Sequence, residues 1–147
     1  MKKFEEFVTE TVIKLRGSSS QSAAQLDKFM DDLHATTEEH PFNPRVRIVN
    51  GNVGVHVSKG DRGIHIHDIL SFAPKSGAGT MALRHLKSLA DKHNVALEGT
   101  AKGYTNEGSR VGSSTRLRDW YTKHGFTAKD GDEHEGYDIH YAPKRLH

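Results

Sequence analysis

The chain has 147 residues, of which 34% are hydrophobic and 27% charged, and its formal net charge is +2. This length fits one domain, 1–147, and the small net charge gives no reason to expect a nucleic-acid partner. The absence of cysteine excludes a disulfide framework, thiolate zinc sites and a cysteine nucleophile. No apolar run is long enough to cross a membrane, and the first residues lack the apolar stretch of a secretory signal. We therefore expect a cytoplasmic protein without a membrane partner.

The first third of the chain is predicted to hold a strand and a helix. Residues 11–16 are rich in β-branched side chains and close on Gly17, which predicts a strand, but the apolar spacing over 4–15 also fits a helix. Apolar residues at three- and four-residue spacing predict an amphipathic helix over 20–33. Two prolines then predict that 35–43 is a connecting loop.

The middle of the chain predicts antiparallel strands. Residues 45–49 and 53–57 alternate in polarity around Asn-Gly-Asn at 50–52, which is typical of a tight hairpin. After a second turn, 64–72 predicts another strand. The adjacent apolar pair Ile69 and Leu70 interrupts its alternation and suggests a β-bulge.

The next elements form a strand, helix and strand unit. A helix is predicted over 80–93, with Asn94 as a left-handed stop, and 95–101 is predicted to be the strand that follows it. This order predicts a crossover between parallel strands of one sheet. Residues 102–112 contain three glycines and are predicted to be a loop.

The last third predicts a short helix and a closing β pair. Ser113 or Ser114 is expected to cap the helix, and Gly125 is expected to end it in the left-handed conformation. Strands are predicted over 126–129 and 137–141. The acidic turn between them, 130–135, is expected to be a solvated hairpin end.

One loop has the composition of an anion site. The sequence Pro-Lys-Ser-Gly-Ala-Gly-Thr at 74–80 lies between a predicted strand and a predicted helix, where backbone amides and the positive helix end converge. A bare Gly-x-Gly here is also compatible with a simple tight turn. The Walker pattern is absent because no Gly-Lys-Ser/Thr closes the loop, and Ala82 replaces the third glycine of a dinucleotide fingerprint.

The element order and two motifs resemble the GNAT superfamily of acyl-CoA N-acyltransferases across nearly the whole chain. Gly-Ala-Gly at 77–79 is similar to the end of the family's pyrophosphate loop, and Trp-Tyr-Thr-Lys-His-Gly-Phe at 120–126 is similar to its Leu-Tyr-x-x-x-Gly-Phe segment. The resemblance implies an α/β fold with a mixed, mostly antiparallel sheet flanked by helices. Two positions depart from the family pattern: Pro74 stands where the loop has Arg or Gln, and Ser114 replaces an asparagine.

The resemblance also implies the cosubstrate, acetyl-CoA, and the residues that bind it. Its pantetheine arm and thioester would contact the end of the strand, on a stretch that splays from its neighbour, and its pyrophosphate would contact the loop and the helix start. Lys75 could replace the missing loop charge, or it could be a solvated lysine. The implied cofactor-binding residues are Ser71, Phe72, Ala73, Lys75, Ser76, Gly77, Ala78, Gly79 and Thr80.

The implied catalytic residues are Tyr121, Asp68 and His67. Tyr121 would protonate the leaving thiolate, since a phenol with a pKa of about 10 lies close to a thiol of about 8.5; the alternative is an aromatic residue packed on the core. The general base remains open between Asp68 and the histidines His65 and His67, which strand alternation places on the opposite face. An amine would be the acceptor, and 104–112 would line its site. A monomer or a homodimer is expected.

Three other interpretations follow from the same residues. His65 and His67 could chelate zinc, but no third ligand is identifiable, and no metal is expected. A noncatalytic GNAT-fold protein that binds a macromolecule is the main rival to an enzyme. A nucleic-acid module would need its arginines to form one contiguous basic face; the candidates are Arg45, Arg47, Arg110, Arg116 and Arg118.

Overall fold

A computed structural model describes residues 23–71, 77–102 and 113–144. The helices of this part are α1 (Ala23–Thr36), α2 (Ala78–His93) and α3 (Ser114–Lys123). Its strands are β1 (Glu38–Glu39), β2 (Arg47–Val49), β3 (Val53–Lys59), β4 (Ile64–Ser71), β5 (Leu97–Ala101), β6 (Thr127–Ala128) and β7 (Tyr137–Tyr141). The alternatives for 4–15 and 11–16, and the predicted loop 104–112, lie outside the described residues. None of the described helices is long and apolar enough to cross a membrane.

The strands form one mixed sheet in the order β1-β2-β3-β4-β5-β7-β6. Every neighbouring pair is antiparallel except β4 and β5, which run parallel because α2 connects them. The predicted strand, helix and strand unit is therefore confirmed. It places the start of α2 beside the C-terminal end of β4.

One apolar core joins the sheet to all three described helices. The alternating valines of β3 and the isoleucines of β4 face the same side as Leu97 of β5 and Ile139 of β7, because directly paired residues share a face. These side chains form a single buried cluster with Leu26, Phe29 and Leu33 of α1, Leu83 and Leu86 of α2, and Tyr121 of α3. The three described helices therefore cover one face of the sheet.

Local signals placed most turns correctly. Asn50 and Gly51 have φ of 52° and 76° in the hairpin turn, and Asn94 ends α2 with φ of 56°. Gly125 has φ of 95°, and the Phe126 amide after it donates to the Tyr121 carbonyl at 3.1 Å. The left-handed stops predicted at Asn94 and Gly125 are confirmed.

The prediction that 35–43 is only a loop is wrong. The helix α1 extends to Thr36, and β1 then pairs with β2. The guanidinium of Arg47 donates to the carbonyl of His34 at 3.1 Å and to that of Thr37 at 2.7 Å. Arg47 thus ties the end of α1 to the sheet and holds β1 in register.

The predicted bulge exists but lies elsewhere on β4. The Cα partners are His56 with Asp68 and Val57 with Ile66, so His67 has no residue opposite it on β3. Ile69 and Leu70, where the bulge was predicted, pair regularly with Val55 and Gly54. The extra residue shifts the alternation of β4 by one position, so Ile69 packs against the core with Val55 while Leu70 is exposed.

The parallel pairing of β4 with β5 is short. It comprises Ile64 with Leu97, His65 with Glu98 and Ile66 with Gly99, and no described pair follows. A β-carbon on Gly99 would lie 2.8 Å from the carbonyl oxygen of Ile66. The backbone of β4 therefore approaches Gly99 closely, and the described pairing ends there, one residue before the bulge.

Gly99→Ala should destabilise the protein by about 1–3 kcal/mol, because the new methyl group meets backbone that has no room to yield. Gly79→Ala is a matched control, since its methyl group would make an ordinary contact 3.7 Å from Trp120 Cζ2. In helix α2 that alanine should be neutral or stabilising by up to about 1 kcal/mol. Urea unfolding of both variants measures this difference, and equal midpoints would contradict it.

Candidate acyltransferase site

The start of α2 is open at Gly77. Gly77 is the N-cap residue with φ of 82° and is exposed, and no side chain among the described residues caps the helix. A β-carbon on Gly77 would meet no atom within 4 Å. Because a positive φ favours glycine and the first amides of a helix point outwards, the backbone here can approach an anion closely.

The structure describes only some of the other residues that were predicted to bind acetyl-CoA. Ala78 is buried, and Gly79 and Thr80 are half-buried, all in the first turn of α2, which begins two residues earlier than predicted. Ser71 ends β4. The remaining residues, Phe72, Ala73, Lys75 and Ser76, lie outside the described residues.

The two motifs behind the family resemblance lie next to each other. The closest side chain to Gly79, judged from the position of an added β-carbon, is Trp120 of α3. The Trp120 ring lies 4.9 Å from the ring of Tyr121, between centroids. The Gly-x-Gly turn therefore lies beside the helix that carries Tyr121.

Tyr121 is buried in an aromatic cluster. Its ring centroid lies 5.1 Å from that of Phe126, and the side chain is only 7% exposed. Burial, and then the charge of the Asp68 carboxylate, raise the pKa of Tyr121 well above its ordinary value of 10.0. The Asp68 effect indicates that the two proposed catalytic groups lie within electrostatic range of each other.

A carboxylate from the acidic turn holds the start of α3. Glu133 accepts from the Ser114 amide and, at 3.2 Å, from the Thr115 amide, and the Thr115 hydroxyl donates to it at 2.9 Å. The Ser113 side chain accepts from the Arg116 amide at 3.0 Å, so the predicted serine cap is also confirmed. The turn is an exposed hairpin end, as predicted, but the sequence did not predict that its Glu133 caps the helix that carries Tyr121 and neutralises the positive end of that helix.

His67 lies in a cluster of three imidazoles. Its ring stacks on His56 with centroids 4.3 Å apart and meets His65 edge-on at 4.6 Å. Its Nε2 lies 2.8 Å from the Ser58 hydroxyl. Partial desolvation, then repulsion by His56 and His65, lower the pKa of His67.

The prediction that Asp68 faces away from the two histidines is wrong. Asp68 is the Cα partner of His56, and directly paired residues share a face. Since His67 stacks on His56, the bulge brings His65, His67 and Asp68 to one face. Strand alternation failed here because it assumes a regular pleat, and the one extra residue is His67 itself.

The zinc and nucleic-acid interpretations gain no support from the geometry. In the described part of the chain, no group of three or more His, Cys, Asp or Glu side chains could hold a metal ion. Arg45 and Arg47 lie at the β1–β2 end of the sheet, whereas Arg116 and Arg118 belong to α3, which packs on β5, β6 and β7. These four arginines do not form one face, and Arg110 lies outside the described residues.

The sequence did not predict the roles of three residues near the site. Glu133 acts through a contact with a helix 19 positions away, and Gly99 was an unremarked glycine inside a strand, although such a glycine often marks a close backbone approach. His56 was noted only as a scattered histidine. Its position opposite the end of β4 depends on the hairpin register.

Comparisons with known proteins identify the fold. No family model and no curated protein sequence matches the chain. Among solved structures, the anti-CRISPR protein AcrVA5 is similar with a TM-score of 0.50 and 17% identity, over 65% of this chain and 95% of that one. A structure from Corynebacterium glutamicum, described as histone acetyltransferase HPA2 and related acetyltransferase, has a TM-score of 0.48 and 11% identity over 86% and 96% of the two chains. The PaiA N-acetyltransferase of Thermoplasma acidophilum, in complex with coenzyme A, has a TM-score of 0.45 and 12% identity over 66% and 58%.

At these identities the likeness concerns fold alone. The chain has a GNAT-type fold, with a mixed and mostly antiparallel sheet and helices packed on it, as the sequence motifs predicted.

Glu133→Gln should lower the thermal stability of the protein at neutral pH. Bonds from Ser114 and Thr115 lower the pKa of Glu133 below its ordinary value of 4.5, so the ionised carboxylate stabilises the fold above that pH. This stabilisation is lost as the pH falls through the lowered folded value. The Tm difference between wild type and variant should therefore shrink as the pH falls below 4.5.

Glu135→Gln is the control, because that exposed side chain lies in the same turn and makes none of the Glu133 bonds. Thermal melts followed by circular dichroism between neutral pH and strong acid measure both. A Tm difference for Glu133→Gln that stays constant over this range would contradict the capping role.

Proposed function

We propose that this chain is a single-domain N-acetyltransferase, 1–147, that moves the acetyl group of acetyl-CoA to a primary amine. The observation that carries the proposal is the end of β4–β5 pairing at Gly99, together with the exposed start of α2 at Gly77, which follows the end of β4 in the chain. Beyond Ile66 the described residues of β5 no longer pair with β4, and an extended amide-containing arm can bind along that edge of β4. The adjacent helix start suits the attached diphosphate.

The parts of acetyl-CoA bind to successive residues between the end of β4 and the start of α2. Ser71, with Phe72 and Ala73 after it, binds the pantetheine arm and the thioester oxygen. The stretch from Lys75 to Thr80 binds the pyrophosphate. The open space beside Gly77 fits this role, and the proline at 74 means that backbone amides rather than an Arg or Gln side chain supply most contacts.

The reaction needs a proton removed from the amine and charge stabilised on sulfur. The neutral amine attacks the thioester carbon, the C–N bond forms, and the C–S bond breaks to release the CoA thiolate. Asp68 accepts the amine proton, with His67 beside it as an alternative path through water. Tyr121 donates its hydroxyl proton towards the departing sulfur.

The raised pKa of Tyr121 determines the protonation state in which its hydroxyl meets the thiolate. A phenol less acidic than usual stays protonated at every working pH and stabilises the thiolate first as a hydrogen-bond donor. The Asp68 charge contributes to the shift. Protonation of Asp68 by the amine therefore removes that contribution and makes Tyr121 a better acid at the moment the thiolate forms.

Calorimetric titration tests the cosubstrate, and Tyr121→Phe tests the chemistry. We expect acetyl-CoA to bind wild type and Tyr121→Phe with similar affinity, because phenylalanine keeps the aromatic packing. Turnover with an amine panel should fall by roughly 100-fold or more in the variant. Tyr137→Phe, a half-buried tyrosine of β7, should keep its turnover.

The outcomes separate the proposal from its rival. Absence of acetyl-CoA binding would refute the cosubstrate. Binding without turnover of any amine would favour the noncatalytic binding protein. Unchanged turnover in Tyr121→Phe would remove Tyr121 from the mechanism while leaving acetyl transfer in place.

A further inference from the structure

A groove lies along the part of β3 that β2 leaves uncovered. The pairing of β2 with β3 covers Val53 to Val55, whereas β3 continues to Lys59. The cavity beside this stretch has a volume of about 460 Å³ and lies between α1, the segment before β2, and the bulge of β4. This volume is within the range of small-molecule sites.

The groove is lined by groups that favour anions. Its lining includes His34, Arg45, Arg47, His56 and His67, and none of the described residues that line it is acidic. Arg47 is fixed in the wall by its bonds to the carbonyls of His34 and Thr37. Arg45 is exposed and adds a permanent positive charge near His67.

The imidazoles supply polar atoms in a preformed array. His56 and His67 are stacked face to face, and Ser58 fixes the Nε2 edge of His67. Protonation of His67 is opposed by its partial desolvation and by the neighbouring His56, His65 and Arg45, which lower its pKa. An anion reverses that repulsion, because it attracts both imidazoles in their charged, donating form.

Acidic groups nearby do not cancel this charge. Asp68 faces His67 and favours its protonation, but by less than the neighbouring His56 and His65 oppose it. Asp27 of α1 is paired with Lys59 at 2.7 Å, and Asp31 also acts on Lys59. The Asp27 carboxylate is therefore directed towards another cation, and Glu39, the Cα partner of Arg47 on β1, is not among the residues that line the groove.

The groove adjoins the proposed reaction centre through consecutive residues of β4. His67 lines the groove, Asp68 follows it in the chain, and the Asp68 charge acts on Tyr121. A small molecule held in the groove by one end could therefore place its other end near Asp68.

We propose that this groove is the acceptor subsite and binds the carboxylate or phosphate of a small amine acceptor, whose amine then points to Asp68. This inference rests on the proposed acetyl transfer for its acceptor role. It narrows the acceptor to small amines that carry an anionic group at the far end. Arg45 is a specificity-determining residue on this account.

The first experiment needs no turnover. Inorganic phosphate is titrated into the full chain while the imidazole signals of His56 and His67 are followed by NMR. We expect both signals to shift saturably and the pKa of His67 to rise on binding. Arg45→Glu should weaken this binding roughly 10-fold or more, and Arg116→Glu, an exposed arginine of α3, should leave it unchanged.

The second experiment compares acceptors that differ only in the anionic group. Phosphoethanolamine is compared with ethanolamine, and β-alanine with propylamine, as kcat/KM with acetyl-CoA. We expect the anionic member of at least one pair to be preferred roughly 10-fold or more, and Arg45→Glu to abolish the preference. The two pairs distinguish a phosphate from a carboxylate.

The results that overturn the inference are distinct from failure of the enzyme proposal. No phosphate-induced shift, or a shift insensitive to Arg45→Glu, refutes the anion site. Equal kcat/KM within both pairs refutes its role in acceptor choice. Acetylation of no amine at all, with phosphate shifts still lost in Arg45→Glu, refutes acetyl transfer and the acceptor role but leaves the anion site established.

Discussion

The candidate site depends on how β4 is paired on its two sides. On the side of β3, β4 has a β-bulge at His67. On the side of β5, its pairing ends with Ile66 and Gly99. Beyond that point β4 keeps its hydrogen-bonded neighbour on one side only. The strand that carries Asp68 is consequently held firmly by β3 while its other edge faces the gap.

This arrangement brings together groups that the chain order separates. The helix α2 begins where β4 ends, and Gly79 in its first turn contacts Trp120 of α3. Glu133 fixes the start of α3, and the buried aromatic cluster fixes its end, so Tyr121 has little freedom to move. The Asp68 charge acts on both Tyr121 and His67. The proposed proton acceptor and proton donor therefore influence each other electrostatically.

Much of the fold could be predicted because its signals are local. Asn50, Asn94 and Gly125 each adopt a positive φ that their residue type permits, and the amphipathic spacing of α2 placed its buried face correctly. The bulge was predicted on the right strand but at Ile69 rather than at His67. The polar and apolar pattern of a single strand shows that the alternation of its faces has shifted. It does not show which residue lacks a partner, because that depends on the register with β3.

The site was harder to predict than the fold for the same reason. The roles of Glu133, His56 and Gly99 arise from contacts between elements that are distant in sequence, and each residue type is common in positions without such contacts. The faces of Asp68 and His67 followed incorrectly from regular alternation. By contrast, the pairing of Gly-x-Gly with the Trp-Tyr segment was recognisable, because both motifs are contiguous in sequence and resemble a family in which they belong together.

The most direct test is a crystal structure of the protein with acetyl-CoA. The account predicts that the pantetheine arm lies between β4 and β5 beyond Ile66, with its thioester sulfur near the Tyr121 hydroxyl and its diphosphate at the amides around Gly77. A cosubstrate bound elsewhere, with β4 and β5 joined by side chains across the gap, would contradict it.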